Sequence, residues 1–241
     1  MLTLRPDGWF EASKTGPEVI RLPSKRHHQL DSGTPLAPVW HYTAGIGGPD
    51  YGLALARRIV EPPRDLDGDG ELDERQASWN ILVDRRGRLI QSIPVTRGAW
   101  HCKGKGTIAG RILSVNESTT GIELENAGRL KRIRATGGEE RFYCWPYFVT
   151  GTKTPDPRLR VDPEHAVATK DGFFHAFTLE QEETSWLMLR LLADRFGWAR
   201  EVCSYGHVTF VGPDVKEDPG PLWLGEILPR ILERTFAPAV V

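Results

Sequence analysis

Cysteine is scarce: Cys102, Cys144 and Cys203 are the three in 241 residues. None stands in a CxxC pair and their number is odd, which argues against a disulfide framework and for a reducing compartment. A dominant charge is lacking too. The 31 Lys and Arg are offset by 32 Asp and Glu, for a formal net charge of −1. That argues against a broad basic surface, so neither nucleic acid nor an anionic membrane is an expected partner. No apolar run approaches the roughly 20 residues that span a bilayer, so no membrane insertion is expected. The start, MLTLRPDGWFEASKTG, has no basic stretch followed by an apolar core. No secretory signal is read there, and the protein is expected to be cytoplasmic at synthesis. Internal repeats and low-complexity linkers are missing as well.

What is present is an ordinary globular composition, 39% hydrophobic and 26% charged. The length suits one sizeable core, so residues 1–241 are expected to form a single domain with insertions and no separate wall-binding module. Residues 1–35 read as an irregular, polar lead. Residues 36–43 (LAPVWHYT) read as a strand ending near His41, with Pro35 and Pro38 placing it at a strand start or a sheet edge. Tyr51–Val60 has helical spacing with Leu53, Ala56 and Val60 on one face, stopped by Pro62 and Pro63. Residues 78–83 and 88–93 flank a turn at Asp84–Gly87 and predict a hairpin. Gly121–Glu125 alternates like a strand. Residues 126–175, with a basic run (RLKRIR) and an aromatic group (FYCWPYF), read as an insertion of loops and short strands. Thr178 and Gln181 form a capping box before a helix striped by Met188, Leu189, Leu192 and Phe196, and Gly197 sits at its C-cap. A last helix over Leu222–Arg234, with Leu224, Leu228 and Ile231 on one side, is expected to be distorted by Pro229. The fold class is α/β or α+β, a central mixed sheet flanked by helices.

Three segments carry possible chemistry: VWHYTAG, GIELEN and YGHVTFVGPDVKEDPGP. A catalytic zinc takes three protein ligands and keeps a fourth position open, and His41, His207 and Asp218 are the candidate ligands. Glu123 is a candidate proton acceptor, and Lys216 a candidate partner for a developing oxyanion. Each residue also has a plainer reading. With seven histidines in the chain, either imidazole could be an ordinary polar group; Asp218 could be a turn residue, Glu123 the solvent face of a strand, and Lys216 a solvated loop cation. Asp65, Asp67, Asp69, Glu71 and Asp73, with Gly70 among them, have the oxygen spacing of a Ca²⁺ loop, although Gln76 stands where such loops carry a bidentate glutamate. An exposed acidic turn explains the same residues equally well. His27 and His28 read as an exposed basic turn, and His165 and His175 as surface or satisfied groups. RLKRIR reads as the solvated face of a hairpin. Phe142, Tyr143, Trp145, Tyr147 and Phe148 could stack on sugars or fill a local core, with the core favoured.

At these residues the chain resembles the type 2 N-acetylmuramoyl-L-alanine amidases. That family includes cytosolic anhydromuramyl-peptide amidases, amidase-type phage lysozymes and peptidoglycan recognition proteins. Five signatures fall in family order over residues 36–125 and 178–225: the strand-end His41, the hairpin ASWNILVDRRGRLIQSIP, Ala99-Trp100-His101, Gly121–Glu125, and Gly206-His207 with Lys216–Pro221. The resemblance implies His41, His207 and Asp218 as zinc ligands, Glu123 and Lys216 as catalytic groups, and Trp100 and His101 as a groove wall touching substrate. It implies hydrolysis of the lactyl–L-alanine amide of peptidoglycan or a muropeptide by a monomer. Of the contexts the family offers, a phage-type endolysin reaching the wall through a holin is preferred to a cytosolic recycling amidase or a non-catalytic binding module. A structural zinc domain would need a fourth ligand, and none is evident; Cys203 need not be one. The chain departs from the family at Trp79-Asn80, where relatives carry an aromatic or small residue and then histidine. Trp79 also replaces a tyrosine that assists catalysis in some phage members. Residues 126–175 match nothing in the family and are read as a lid or a groove extension.

Overall fold

The computed structural model describes residues 1–61, 77–213 and 216–238. The acidic stretch weighed as a calcium loop, Asp65 to Asp73, lies outside the described residues, as do Pro62 and Pro63.

The first 35 residues are more ordered than their composition suggests. Strands β1 (Leu2–Leu4) and β2 (Phe10–Ala12) form an antiparallel hairpin, and β3 (Val19–Arg21) joins the main sheet. This corrects the reading of an irregular lead. Strands of three residues are too short to show an alternating pattern, and tertiary contacts hold them instead. Phe10 is fully buried, and the Gln91 amide accepts from the Phe10 N–H at 2.8 Å and donates to the Gly8 carbonyl at 2.8 Å.

Next come β4 (Ala37–Tyr42), helix α1 (Tyr51–Val60), β5 (Ile81–Val83) and β6 (Leu89–Gln91). A β7 (Lys105–Ile108) and β8 (Arg111–Ser114) hairpin follows, and then β9 (Thr119–Leu124). The main sheet has the order β3-β6-β5-β9-β4. Only β5 and β6 pair antiparallel; the other three pairings are parallel. The edge position of β4 accommodates Pro38, which has no N–H to give a ladder. Helix α1 covers part of one face with Gly52, Ala56 and Ile59, so the face expected from Leu53 and Val60 is rotated: both are only half-buried. Ala56, Ile59, Trp79, Leu82 and Ile90 form the core beneath it. Trp79 is thus a packing residue. Asn80, fully buried, ties the start of β5 to the loop after β6 and to β9 by donating to the Pro94 and Arg97 carbonyls and accepting from the Gly121 N–H.

In residues 126–175, expected as loops and short strands, the short strands join into a sheet of their own. Strands β10 (Arg129–Arg134), β11 (Glu140–Cys144), β12 (Arg160–Val161), β13 (Ala166–Thr169) and β14 (Gly172–His175) form a second sheet, antiparallel throughout, in the order β12-β11-β10-β14-β13. Its inner face carries Leu130, Phe142, Cys144 and Val161, with Ala127, as a small core of its own. Lys131, Arg132 and Arg134 stay exposed, as expected of RLKRIR, although alternation puts Lys131 on one face and Arg132 and Arg134 on the other. Of the aromatic group, Phe142 and Tyr143 are buried, whereas Trp145 is exposed.

Helix α2 (Leu179–Phe196) begins at a complete Thr178–Gln181 capping box and ends at Gly197 with φ of 65°. Met188, Leu189 and Leu192 enter the main core with Trp40 and Trp223. After the short helix α3 (Val208–Val211), the chain makes a wide π turn over Trp223–Ile227 and then forms α4 (Leu228–Phe236). The widened turn directly precedes Pro229, whose missing N–H cannot serve an α-type bond.

Candidate active site

Parallel pairing of β4 and β9 sets His41 opposite Glu123. Register partners in a sheet point to the same face, so the imidazole and the carboxylate rise from one side of the two strands. His207 is brought to the same edge by backbone bonds across β4: the Trp40 N–H donates to Tyr205 at 2.9 Å and the His207 N–H to Trp40 at 3.1 Å. Asp218 is fully buried, and its Oδ1 accepts the Tyr42 N–H. Its Oδ2 lies 3.1 Å from His41 Nδ1 and 3.3 Å from His207 Nδ1. One ligand atom from each of His41, His207 and Asp218 falls within 4.8 Å of the other two. Lys216 Nζ stands 3.2 Å from both Asp218 Oδ2 and His207 Nδ1.

The hydrogen-bond network fixes the imidazole tautomers. The Thr119 hydroxyl donates to the Val115 carbonyl at 2.6 Å, so towards His101 Nε2, at 3.2 Å, it accepts. Burial, reinforced by His41 and His207, holds His101 well below the usual histidine range, so its ring is neutral. With its proton on Nε2, His101 offers a bare Nδ1 to His41 Nε2 at 3.0 Å, and that contact needs the His41 proton on Nε2. Burial also lowers His41. Its Nδ1 is therefore a lone pair facing the Asp218 carboxylate. His207 Nδ1 lies between the Lys216 ammonium, at 3.2 Å, and Asp218 Oδ2, at 3.3 Å. One nitrogen from each imidazole thus converges with a carboxylate oxygen. Two neutral imidazole nitrogens and a carboxylate are the donor set that a divalent transition metal takes. Among the described residues Asp162, Glu164 and His165 also have ligand spacing, but Asp162 and Glu164 are exposed.

Burial opposes ionisation of Asp218, but its close approach to His207, His41 and the Lys216 ammonium outweighs that cost and holds its carboxyl below the ordinary range. Glu123 is the reverse case. Burial pushes it up to about 8, helped by the Asp218 charge and opposed by Lys216. Its Oε2 is buried without a hydrogen-bond partner. A carboxyl in that state is matched to proton transfer near neutral pH.

The structure thus gathers His41, Glu123, His101, His207, Lys216 and Asp218 into one place. Trp100 is 40% exposed beside them, its ring 4.4 Å from that of His28. His28 is therefore half-buried against an aromatic wall; only His27 is the exposed group the sequence suggests. Cys203 is buried and stands apart from the acceptor trio; its carbonyl receives the Trp40 indole N–H. The contact between His101 and His41 escaped the sequence reading. So did the Asn116 side chain, which accepts from the N–H groups of His101 and Cys102 at 2.9 and 2.8 Å. Gly121 is the one trace of this packing in the sequence, since a Cβ there would lie 2.5 Å from the His101 ring.

Solved structures share this architecture. A selenomethionine derivative of AmpD aligns with a TM-score of 0.58 at 21% identity, covering 95% of this chain and 99% of that one. Citrobacter freundii AmpD in solution aligns with a TM-score of 0.50 at 19% identity, over 96% and 100% of the two chains. A mutant endolysin from Bacillus subtilis gives 0.50 at 17% identity, over 90% and 97%. At such identities the likeness is one of fold. A search of curated proteins finds no match. The family model for N-acetylmuramoyl-L-alanine amidase, Amidase_2, matches residues 32–221, most of the chain. The chain therefore belongs to the Amidase_2 family, the N-acetylmuramoyl-L-alanine amidases.

Proposed function

We propose that this amidase is zinc-dependent and hydrolyses the amide between the lactyl group of N-acetylmuramic acid and L-alanine. The observation that carries the metal is the convergence of one ligand atom each from His41, His207 and Asp218 within 4.8 Å of one another. When bound there, zinc would supply Lewis acidity that polarises the amide carbonyl and eases ionisation of the attacking water. Glu123, with its unpartnered buried oxygen, takes the proton from that water and returns it to the departing alanine nitrogen. Lys216, whose ammonium lies beside His207 and Asp218, would stabilise the negative charge on the carbonyl oxygen. Trp100, exposed beside the site, gives the glycan or the peptide an apolar wall.

Muropeptide cleavage by wild type and Glu123→Ala tests the assignment. The variant is expected to lose about 10²–10⁴-fold in kcat while keeping its metal. Full turnover in the variant would remove Glu123 from the mechanism. The phage-type reading adds that intact sacculi are solubilised as readily as soluble muropeptides are cut. Activity confined to soluble muropeptides would assign the protein to recycling instead.

A further inference from the structure

Residues flanking two of the proposed zinc ligands are both held by one short segment of the second sheet, Gly128–Arg129. Tyr42 follows His41, and its phenol lies on Gly128, where a Cβ would come within 2.5 Å of Tyr42 Cζ. Glu217 precedes Asp218, and both its carboxylate oxygens accept from Arg129 Nε, at 2.7 and 3.0 Å. Arg129 is itself fixed on its other sides. Its guanidinium lies 4.8 Å from the Phe174 ring centre and also donates to the Asp171 carbonyl. Phe174 is buried and stands close to Gly220, at the end of the segment carrying Lys216, Glu217 and Asp218.

From this we infer that Arg129 is a positioning residue for the metal centre: through Glu217 it holds Asp218 and Lys216 against the two imidazoles. The second sheet would then be part of the metal-binding apparatus, and not only a lid or a groove extension. The pair is over a third exposed on both sides, so its contribution to overall stability is small, and its effect is local to the loop it holds.

Electrostatics and positioning make opposite forecasts. Removing a cation near a dication site should tighten zinc by Coulomb attraction alone. Removing a strap should loosen it, as loss of the partners that orient metal ligands does. The inference rests on the zinc reading, and one titration series separates the two. Zinc dissociation constants of wild type, Arg129→Met, Glu217→Gln and the double variant are measured by competition with a chromophoric chelator, beside melting of the metal-free proteins. Arg129→Met is expected to bind zinc about 10-fold more weakly, at the low end of the usual range for such partners. The metal-free melting temperature should barely move, and the double variant should be no worse than the poorer single one. Tighter or unchanged zinc binding in Arg129→Met, additive losses, or a matching loss of metal-free stability would overturn the inference. No zinc binding by the wild type would instead overturn the reading on which it rests.

Discussion

At the scale of single residues, the centre depends on which atoms carry protons. His101 illustrates this. The family resemblance gave it a place in the substrate groove, while the geometry gives it the proton of His41 Nε2. His101→Ala should therefore weaken zinc about 10–100-fold, as loss of a partner that orients a metal ligand does. If its only role were to touch substrate, KM would rise and zinc affinity would stay unchanged. Glu123 yields a second prediction, in metal-free protein. Its folded-state carboxyl keeps a proton up to about 8, whereas an unfolded glutamate ionises near 4.5. Between those values the folded state holds more protons than the unfolded one, so this group's contribution to stability declines as pH rises through the window. Urea unfolding of chelator-treated wild type should show that decline relative to Glu123→Gln, whose amide does not titrate. Parallel pH profiles for the two proteins would show that Glu123 is not perturbed. His41, Glu123, His207, Lys216 and Asp218 were all legible in the sequence, through the resemblance, because each sits in a short motif. Thr119, Asn116 and Arg129 were not, because a hydroxyl, an amide or a guanidinium acting across 15 to 88 residues leaves no local spacing to read.

At the scale of elements, legibility followed how much of the information was local. The bounds of α1 and the capping box and C-cap of α2 could be read directly, because caps and helical spacing lie within a few residues. The rotated face of α1 could not, since its partners come from distant strands. The second sheet was obscured for a related reason. Its β10 strand reads RLKRIR, and Arg and Lys on both faces hide the inward Leu130. Its register depends on pairing β10 with β14, more than thirty residues away. The cap of α2 invites a direct test. Thr178 Oγ1 accepts the Gln181 N–H and donates to the Arg85 carbonyl at 2.8 Å, joining the helix start to the β5–β6 turn. Thr178→Ala should cost about 1–2 kcal/mol in denaturant unfolding, the usual range for a lost cap. A change under about 0.3 kcal/mol would mean that the cap is not what holds this junction.

At the scale of the whole molecule, the proposed metal would be linked to the stability of the fold. No helix among the described residues is long and apolar enough to cross a membrane. A ligand that binds only the folded state stabilises it by mass action, about 4 kcal/mol at a thousand times its dissociation constant. Excess chelator should therefore lower the melting temperature and abolish turnover together, and zinc should restore both. The most direct test of the central claim is diffraction from zinc-loaded crystals at the zinc absorption edge. The account predicts one anomalous peak about 2.0–2.2 Å from His41 Nδ1, His207 Nδ1 and an Asp218 carboxylate oxygen, with no fourth protein ligand. A peak coordinated elsewhere, or none at this trio in protein that cleaves muropeptide, would contradict it.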